Sequence, residues 1–270
     1  MKLLIEIGNT CLKWALLEGA ALGPMTGARH FGALPIDVLA NWETLGRVER
    51  VLVASVGPEP VLEAVRAAAA AYWQCPLQRV EPSAHAHAVR IAYADPRRLG
   101  VDRFLALIGA YWLESLEPAP EPENAPELKY ARAPRSERAP EPERATLIID
   151  AGTAITFDGL LADGTHRGGQ ILPGIAMLRD SLLRGTRLPP HHTQDQAERW
   201  GQDTGPAITA ASLHAPAALG ERLRETLTHE TGYAPRVILT GGDAERLAPL
   251  LQAPVQLQPD LVLRGLARFG

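Results

Sequence analysis

"LLIEIGNTCLKWALL", Leu3–Leu17, places one carboxylate, Glu6, inside an apolar run, then a small polar turn, Gly8-Asn9-Thr10, then a second apolar run. Leu3–Ile7 has the character of a buried strand and Lys13–Leu17 that of its partner, so the stretch predicts a hairpin. The same pattern returns as "LIIDAGTAITFDGLL", Leu147–Leu161, with Asp150 in the place of Glu6. One acid-x-Gly-polar turn at the head of each half predicts an internal duplication, each half opening on the same hairpin.

The turn suits phosphate chemistry. Glycine lets the backbone approach a ligand closely, and the amides that follow it, with Asn or Thr side chains, offer donors to phosphate oxygens. An acid at a strand end meets phosphate through hydrated Mg²⁺, which keeps several of its waters and takes one or two carboxylates. Lys13 can then neutralise phosphate charge. A strand-end acid that only caps its turn is the plainer reading of either copy taken alone. The repetition favours the phosphate reading.

Between these hairpins the pattern is mixed α/β. Strands are expected over Arg29–Leu34, within "VERVLVASVG" (Val48–Gly57) and in "LQRVEP" (Leu77–Pro82), and helices over Ile36–Leu45, Pro58–Trp73 and Val101–Leu116. Leu116–Ala145 then becomes dense in Pro, Glu, Ala and Arg, a composition that deletes backbone donors and builds no core. It reads as a disordered, solvated insertion, with a proline-recognition ligand as the alternative. Ala145–Gly174 reads as a three-stranded meander, followed by helices over Ile175–Arg184 and Ala207–Glu230. "RVILTGGDA" and "PVQLQPDLVLRGLARF" each read as a strand running into a helix. The expected organisation is therefore a first lobe over 1–115, the insertion over 116–145 and a second lobe over 146–270.

Composition narrows the function classes. With 27 basic and 31 acidic side chains the net charge is −4, and no basic stripe stands out, which argues against nucleic acid as a partner. No apolar run reaches the ~20 residues that span a bilayer, and the N-terminus has no signal-peptide core, so no membrane partner and a cytoplasmic location are expected. Cys11 and Cys75 are far apart without metal-type spacing, which fits a reducing compartment. His85-Ala86-His87 and His191-His192 have no Cys or acid partners at metal spacing and read as surface loops.

The stretches "GNTCLKW", "YADPRRLGVDR", "IDAGTAITFD", "GGQILPG", "GQDTGPAITA", "LTGGDA" and "DLVLRGL" occur in that order. Together they resemble a type III pantothenate kinase, of the sugar-kinase, actin and heat-shock ATPase superfamily. The resemblance covers nearly the whole chain apart from the insertion. It implies two ribonuclease-H-like (actin-like ATPase) lobes, a homodimer, and ATP-dependent phosphorylation of pantothenate, the first step of coenzyme A synthesis. It also implies ATP with Mg²⁺ and a monovalent cation, K⁺ or NH₄⁺, as cofactors.

By the match, Glu6, Ile7, Gly8, Asn9, Thr10, Cys11, Leu12 and Lys13 hold the ATP phosphates, and Glu6 meets Mg²⁺ through water. Tyr93, Gly100, Val101, Asp102 and Arg103 bind pantothenate, with Asp102 as proton acceptor. Asp150 ligates the monovalent cation, Thr153 contacts ATP and Thr204 contacts pantothenate. Asp102 also reads as a helix N-cap, and the two roles can coexist. Arg103 suits either the pantothenate carboxylate or a neighbouring acid, and Tyr93 suits either binding or packing.

The chain departs from the family pattern at Glu6, where the family has Asp; the added methylene moves the carboxylate by roughly a bond length. That departure keeps open a non-catalytic ATP-binding regulatory or accessory protein of the same fold. A kinase for another small hydroxylated acid is a third reading.

Overall fold

The computed structural model describes residues 1–113, 144–187 and 199–270. The expected insertion at 116–145 therefore lies outside the described residues except at its last two positions, and His191-His192 lies outside them entirely.

The first half runs β1 (Lys2–Ile7), β2 (Cys11–Glu18), β3 (Ala21–Leu22), β4 (Thr26–Arg29), α1 (Ile36–Glu43), β5 (Arg50–Ser55), α2 (Glu59–Trp73), β6 (Leu77–Arg79), β7 (His85–Ala86), β8 (Val89–Arg90) and α3 (Val101–Leu113). The second runs β9 (Thr146–Ala151), β10 (Ala154–Leu160), β11 (His166–Pro173), α4 (Ile175–Gly185), α5 (Thr204–Thr231), β12 (Arg236–Thr240), α6 (Ala244–Leu247), β13 (Val255–Leu257) and α7 (Leu261–Ala267).

The sheets repeat one another. The first has the order β3-β2-β1-β5-β6, with β4 also on β2, and the second β11-β10-β9-β12-β13. In both, an antiparallel hairpin opens the unit and its first strand pairs in parallel with the next long strand, β1 with β5 and β9 with β12. Glu6 pairs with Ala54 across one parallel ladder and Asp150 with Thr240 across the other. The acid-bearing hairpins thus occupy equivalent places in two copies of a ribonuclease-H-like order, as the echo between the halves predicts.

Each sheet has its own outer core. Leu3, Ile5, Val51 and Val53 bury against α1 and α2 through Val38, Trp42, Leu62 and Val65. Leu147, Ile149, Val237 and Leu239 bury with Phe157, Leu213 and Leu247. The opposite faces share one central core, in which Leu4 and Leu52 of the first sheet and Ile148 and Ile238 of the second join α3 and α7. Side chains alternate along a strand, so Glu6, two residues beyond Leu4, and Asp150, two beyond Ile148, both point toward the space between the sheets.

Helices α3 and α7 fill that space at backbone contact. A Cβ on Gly265 would overlap the Leu105 carbonyl, and one on Gly109 would overlap the Leu261 carbonyl and lie 3.2 Å from the Gly265 nitrogen. These glycines are the condition for the close crossing, and α3 is apolar nearly all round because it is covered on both sides.

Several expected boundaries move. The strand expected over Arg29–Leu34 is instead Thr26–Arg29, ending where Phe31 and Gly32 take positive φ of 42° and 86°. The second hairpin strand begins at Cys11 rather than Lys13, because Cys11 to Trp14 also pair with β4. Helix α5 begins at Thr204, three residues before the expected Ala207, because the Asp203 carboxylate caps it. His85 and Ala86 pair with Arg90 and Val89 as a short hairpin rather than a loop.

The close crossing gives a stability test. Gly265→Ala is expected to destabilise the chain by about 1–3 kcal/mol through overpacking, whereas Gly185→Ala, with nothing within 4 Å of the added carbon, stays within ~0.5 kcal/mol. Denaturant midpoints measure both; equal effects would mean that α3 and α7 can separate freely.

Candidate active site

The two hairpin turns face each other. Thr10 Oγ1 and Thr153 Oγ1 lie 2.8 Å apart although 143 residues separate them. The first turn is closed by the Gly8 amide donating to the Cys11 carbonyl at 2.9 Å. It is held from behind by His30, whose Nε2 pairs with the Gly8 carbonyl at 2.8 Å while Nδ1 accepts from the Gly32 amide at 3.1 Å. That pattern fixes the proton on Nε2. In the second turn the Gly152 amide donates to the Ala154 carbonyl, and the Gly174 amide donates to that of Thr153, each at 3.0 Å.

Glycines after the parallel strands complete both turns. A Cβ at Gly57, beyond β5, would overlap the Gly8 carbonyl; one at Gly241, beyond β12, would overlap the Ala151 carbonyl and sit 2.6 Å from Asp150 Oδ1. Gly241 also has φ +93°, a conformation that side chains oppose.

The carboxylates gather under these turns. Glu6 pairs across the hairpin with Lys13, Oε2 to Nζ at 3.7 Å. Burial pushes Glu6 above its ordinary range, Lys13 pulls it back, and Asp102 pushes it up again. Asp150 rises to about 7, chiefly by burial; Lys13 opposes the rise, and Glu6, Asp102 and Asp158 add to it. Asp102 is also raised, by burial and Asp158, against the Arg103 amide and guanidinium. Burial acts to lower Lys13, but the fields of Glu6 and Asp150 outweigh it and hold the ammonium above its usual value. Three half-buried acids thus share one field, with the Lys13 ammonium between Glu6 and Asp150, and this excess negative charge fits a cation.

Asp102 is the second residue of α3 and not its cap. Its Oδ1 accepts the Arg103 amide at 2.8 Å, and the carboxylate folds back over Gly100, where a Cβ would strike it. Arg103 is turned away from solvent: Nε and Nη2 grip Asp158 at 2.8 and 2.6 Å, and Nη1 donates to the Tyr93 hydroxyl at 3.0 Å. Of the two partners left open for Arg103 by the sequence, the neighbouring acid is the one engaged. His166 Nε2 meets Asp158 Oδ1 at 3.0 Å, and its ring stacks 6.1 Å from that of Tyr93.

The fold thus brings Glu6, Lys13, Asp102 and Asp150 into one electrostatic set, Gly8-Asn9-Thr10 against Thr153, and Tyr93 against Arg103. Ile7, Leu12 and Val101 turn their side chains into the core, so only their backbones can face a ligand. Cys11 is a strand residue beside the turn. Thr204 stands at the first position of α5, its amide held by Asp203 at 2.7 Å. His30, Asp158 and His166 were not singled out from the sequence. Asp158 carried a usable signal, a charge inside the apolar run "AITFDGL", the same signal that marked Glu6.

Asp150 gives the site a pH signature. A carboxyl whose folded pKa is raised to about 7 from an ordinary 3.8 favours the folded state when protonated, so its contribution is lost as pH rises from ~4 to ~7 and stays lost above. Asp150→Asn is therefore expected to raise the melting temperature of the metal-free protein at pH 8 by several degrees, and by little at pH 4. Thermal melts at the two pH values check this; an equal effect at both would remove Asp150 as the source.

Residues 2–118 and 133–225 match the family model described as type III pantothenate kinase. The chain is 35% identical over 273 residues to a type III pantothenate kinase of Nitrosococcus oceani, covering all of this chain and 94% of that one. It is 34% identical over 268 residues to that of Alkalilimnicola ehrlichii, covering 99% and 97%. Among solved structures, the activator of 2-hydroxyisocaproyl-CoA dehydratase from Clostridium difficile with bound ADPNP superposes with a TM-score of 0.50 at 11% identity, covering 99% of this chain and 93% of that one. That likeness speaks for the fold alone: the sheet order is that of the actin-like ATPases. With duplicated hairpins, a half-buried acid cluster between them and sequence matches along the full length, the chain belongs to the type III pantothenate kinase family.

Proposed function

We propose that the chain transfers the γ-phosphoryl group of ATP to the hydroxyl of pantothenate, giving 4′-phosphopantothenate and ADP, the first step of coenzyme A synthesis. The observation that carries this reading is Asp102 at the start of α3, facing the acid-bearing turns of both sheets. In the transfer, the pantothenate oxygen forms a bond to the γ-phosphorus, the bond from that phosphorus to the β-phosphate oxygen breaks, and Asp102 takes the hydroxyl proton. Its raised basicity suits that role: burial and Asp158 hold the carboxyl up, closer to working pH than a free aspartate.

Gly8, Asn9 and Thr10 of the first turn and Thr153 of the second would bracket the phosphates, with Lys13 beside them as a compact positive charge. Glu6 would hold Mg²⁺ through water and Asp150 a monovalent cation, K⁺ or NH₄⁺; bound there, the cations neutralise charge on the phosphate oxygens. Support for cations at these residues comes from the three raised acids around one ammonium.

Tyr93, Gly100, Val101 and Arg103 would bind pantothenate, together with Thr204. Arg103 has three of its five N–H groups on Asp158 and Tyr93, which leaves two for a carboxylate. A homodimer is part of the proposal, and exposed Ile171, Met177 and Leu182 on β11 and α4 offer an apolar face for it. We take 1–115 and 146–270 as the two lobes. Among the described residues no helix is long and apolar enough to cross a membrane. The accessory-protein reading has no observation of its own in the site.

A coupled ATP assay tests the proposal. Wild type is expected to form ADP only with pantothenate and to be stimulated by K⁺ or NH₄⁺. Asp102→Asn is expected to lose ~10²–10⁴-fold in kcat while still binding ATP by calorimetry. Full turnover in that variant would end the role of Asp102, and ATP binding without turnover in wild type would end the kinase reading.

A further inference from the structure

Outside the acid cluster, one buried polar group is joined to more of the site than any strand-packing role requires. Asp158 lies on β10 with its side chain 3% exposed. Its carboxylate accepts from Arg103 Nε and Nη2 at 2.8 and 2.6 Å and from His166 Nε2 at 3.0 Å. Across the strand pair Gly169 lies directly opposite, and a Cβ there would overlap both Asp158 Oδ1 and the Phe157 carbonyl and come 2.5 Å from Arg103 Nη2. The room for this fork is built into the sheet.

The fork reaches from the second sheet to a helix of the first half. Arg103 presents two groups at once: its guanidinium seats on Asp158, and its backbone amide orients the Asp102 carboxylate at 2.8 Å. A shift of Arg103 therefore shifts Asp102. Its third donor fixes the Tyr93 hydroxyl, and the Tyr93 ring stacks on His166, which is itself held by Asp158. The arrangement closes into a ring of four side chains, with Asp158 the acceptor for two of them.

We propose that Asp158 is a positioning residue for phosphoryl transfer, holding Arg103 and through it the Asp102 end of α3 against the second sheet. This rests on the kinase reading above. Stability alone is a weak account of the pair, because a buried ion pair returns little net stability relative to an apolar replacement. Placement is a stronger one, since ~1 Å at a transfer site costs ~100-fold in rate. Asp158 also balances the Arg103 charge beside Asp102. Asp158 from β10 and Arg103 from its own helix act on Asp102, and Asp102 in turn raises Glu6 of β1 and Asp150 of β9, both of which also face Lys13 of β2.

The test uses full-length Asp158→Asn and Gly169→Ala. Asp158→Asn is expected to lower kcat by ~100-fold with KM for ATP within about twofold. The acid limb of its kcat profile should move to lower pH, because unbalanced Arg103 favours the Asp102 carboxylate. Gly169→Ala keeps every charge and displaces the fork, so kcat should fall without a shift of the limb. Amide exchange at Arg103 and Phe104 should be at least ~10-fold faster in Asp158→Asn, as expected where a local anchor is lost.

A folded Asp158→Asn with wild-type kcat and an unmoved acid limb overturns the proposal, even if its melting temperature drops. So does unchanged amide protection, whichever substrate the enzyme accepts. If wild type fails to phosphorylate pantothenate, the kinase reading fails, while exchange still decides the positioning role. If Asp158→Asn does not fold, kcat of Gly169→Ala decides.

Discussion

Helices α3 and α7 cross with Leu105 and Leu261 carbonyls against the glycines of the opposite helix, and the spacing of the two sheets is set there. Because the shared core takes Leu4 and Ile148 from equivalent places on β1 and β9, the acids two residues further along must emerge on the same side of each sheet. The first turn of α3 then arrives between them with Asp102. A wider crossing would carry Asp102 out of the field of Glu6 and Asp150 and would separate Thr10 from Thr153. The site is thus a consequence of two missing side chains, at Gly109 and Gly265, as much as of the charged ones.

The halves share a turn but not a charge balance. Opposite Glu6 on the hairpin stands Lys13; opposite Asp150 stands Thr156. The longer Glu6 side chain spans toward the Lys13 ammonium at 3.7 Å, so the first half carries its own counter-charge. Asp150 has only the more distant field of Lys13 and three acids against it, and it is the carboxyl raised to about 7. The negative charge that the protein leaves uncompensated is concentrated on the second hairpin. This asymmetry gives the Glu for Asp departure a local rationale: reach toward Lys13 replaces closeness to the turn.

Much of this was legible because the deciding signals are short-range. The hairpins, the later long strand of each half and the meander over Ala145–Gly174 all follow from alternation and turn residues, and the duplication follows from comparing the two turns; the parallel pairing of those later strands came from the structure. What escaped was set by contacts distant in sequence. Strand β4 stops at Arg29 because His30 turns inward to brace Gly8, a bond no local pattern announces. The start of α5 depended on reading Asp203 as its cap. Asp102 matched the sequence pattern of a cap but sits one residue inside the helix, since Gly100 allows the carboxylate to fold back. The Asp158 fork joins residues 55 apart, and only the charge inside an apolar strand pointed to it.

The Arg103 geometry also bears on how an anionic substrate would be recognised. Sequence left its partner open between a ligand carboxylate and a neighbouring acid, and the two are compatible. Asp158 removes most of the net charge from the guanidinium but occupies only one edge of it, while Tyr93 holds one further donor. A second carboxylate approaching the remaining N–H groups would meet a nearly neutral pair with fixed donors. Long-range attraction would then contribute little, and selection would rest on the direction of two hydrogen bonds. A neutral pair also spares the site a strong cation beside Asp102, which would otherwise hold that carboxylate too firmly ionised to accept a proton readily. Under the proposed roles, Asp158 would reconcile two demands that conflict in a small space, a guanidinium to orient the substrate and a basic carboxylate one residue away.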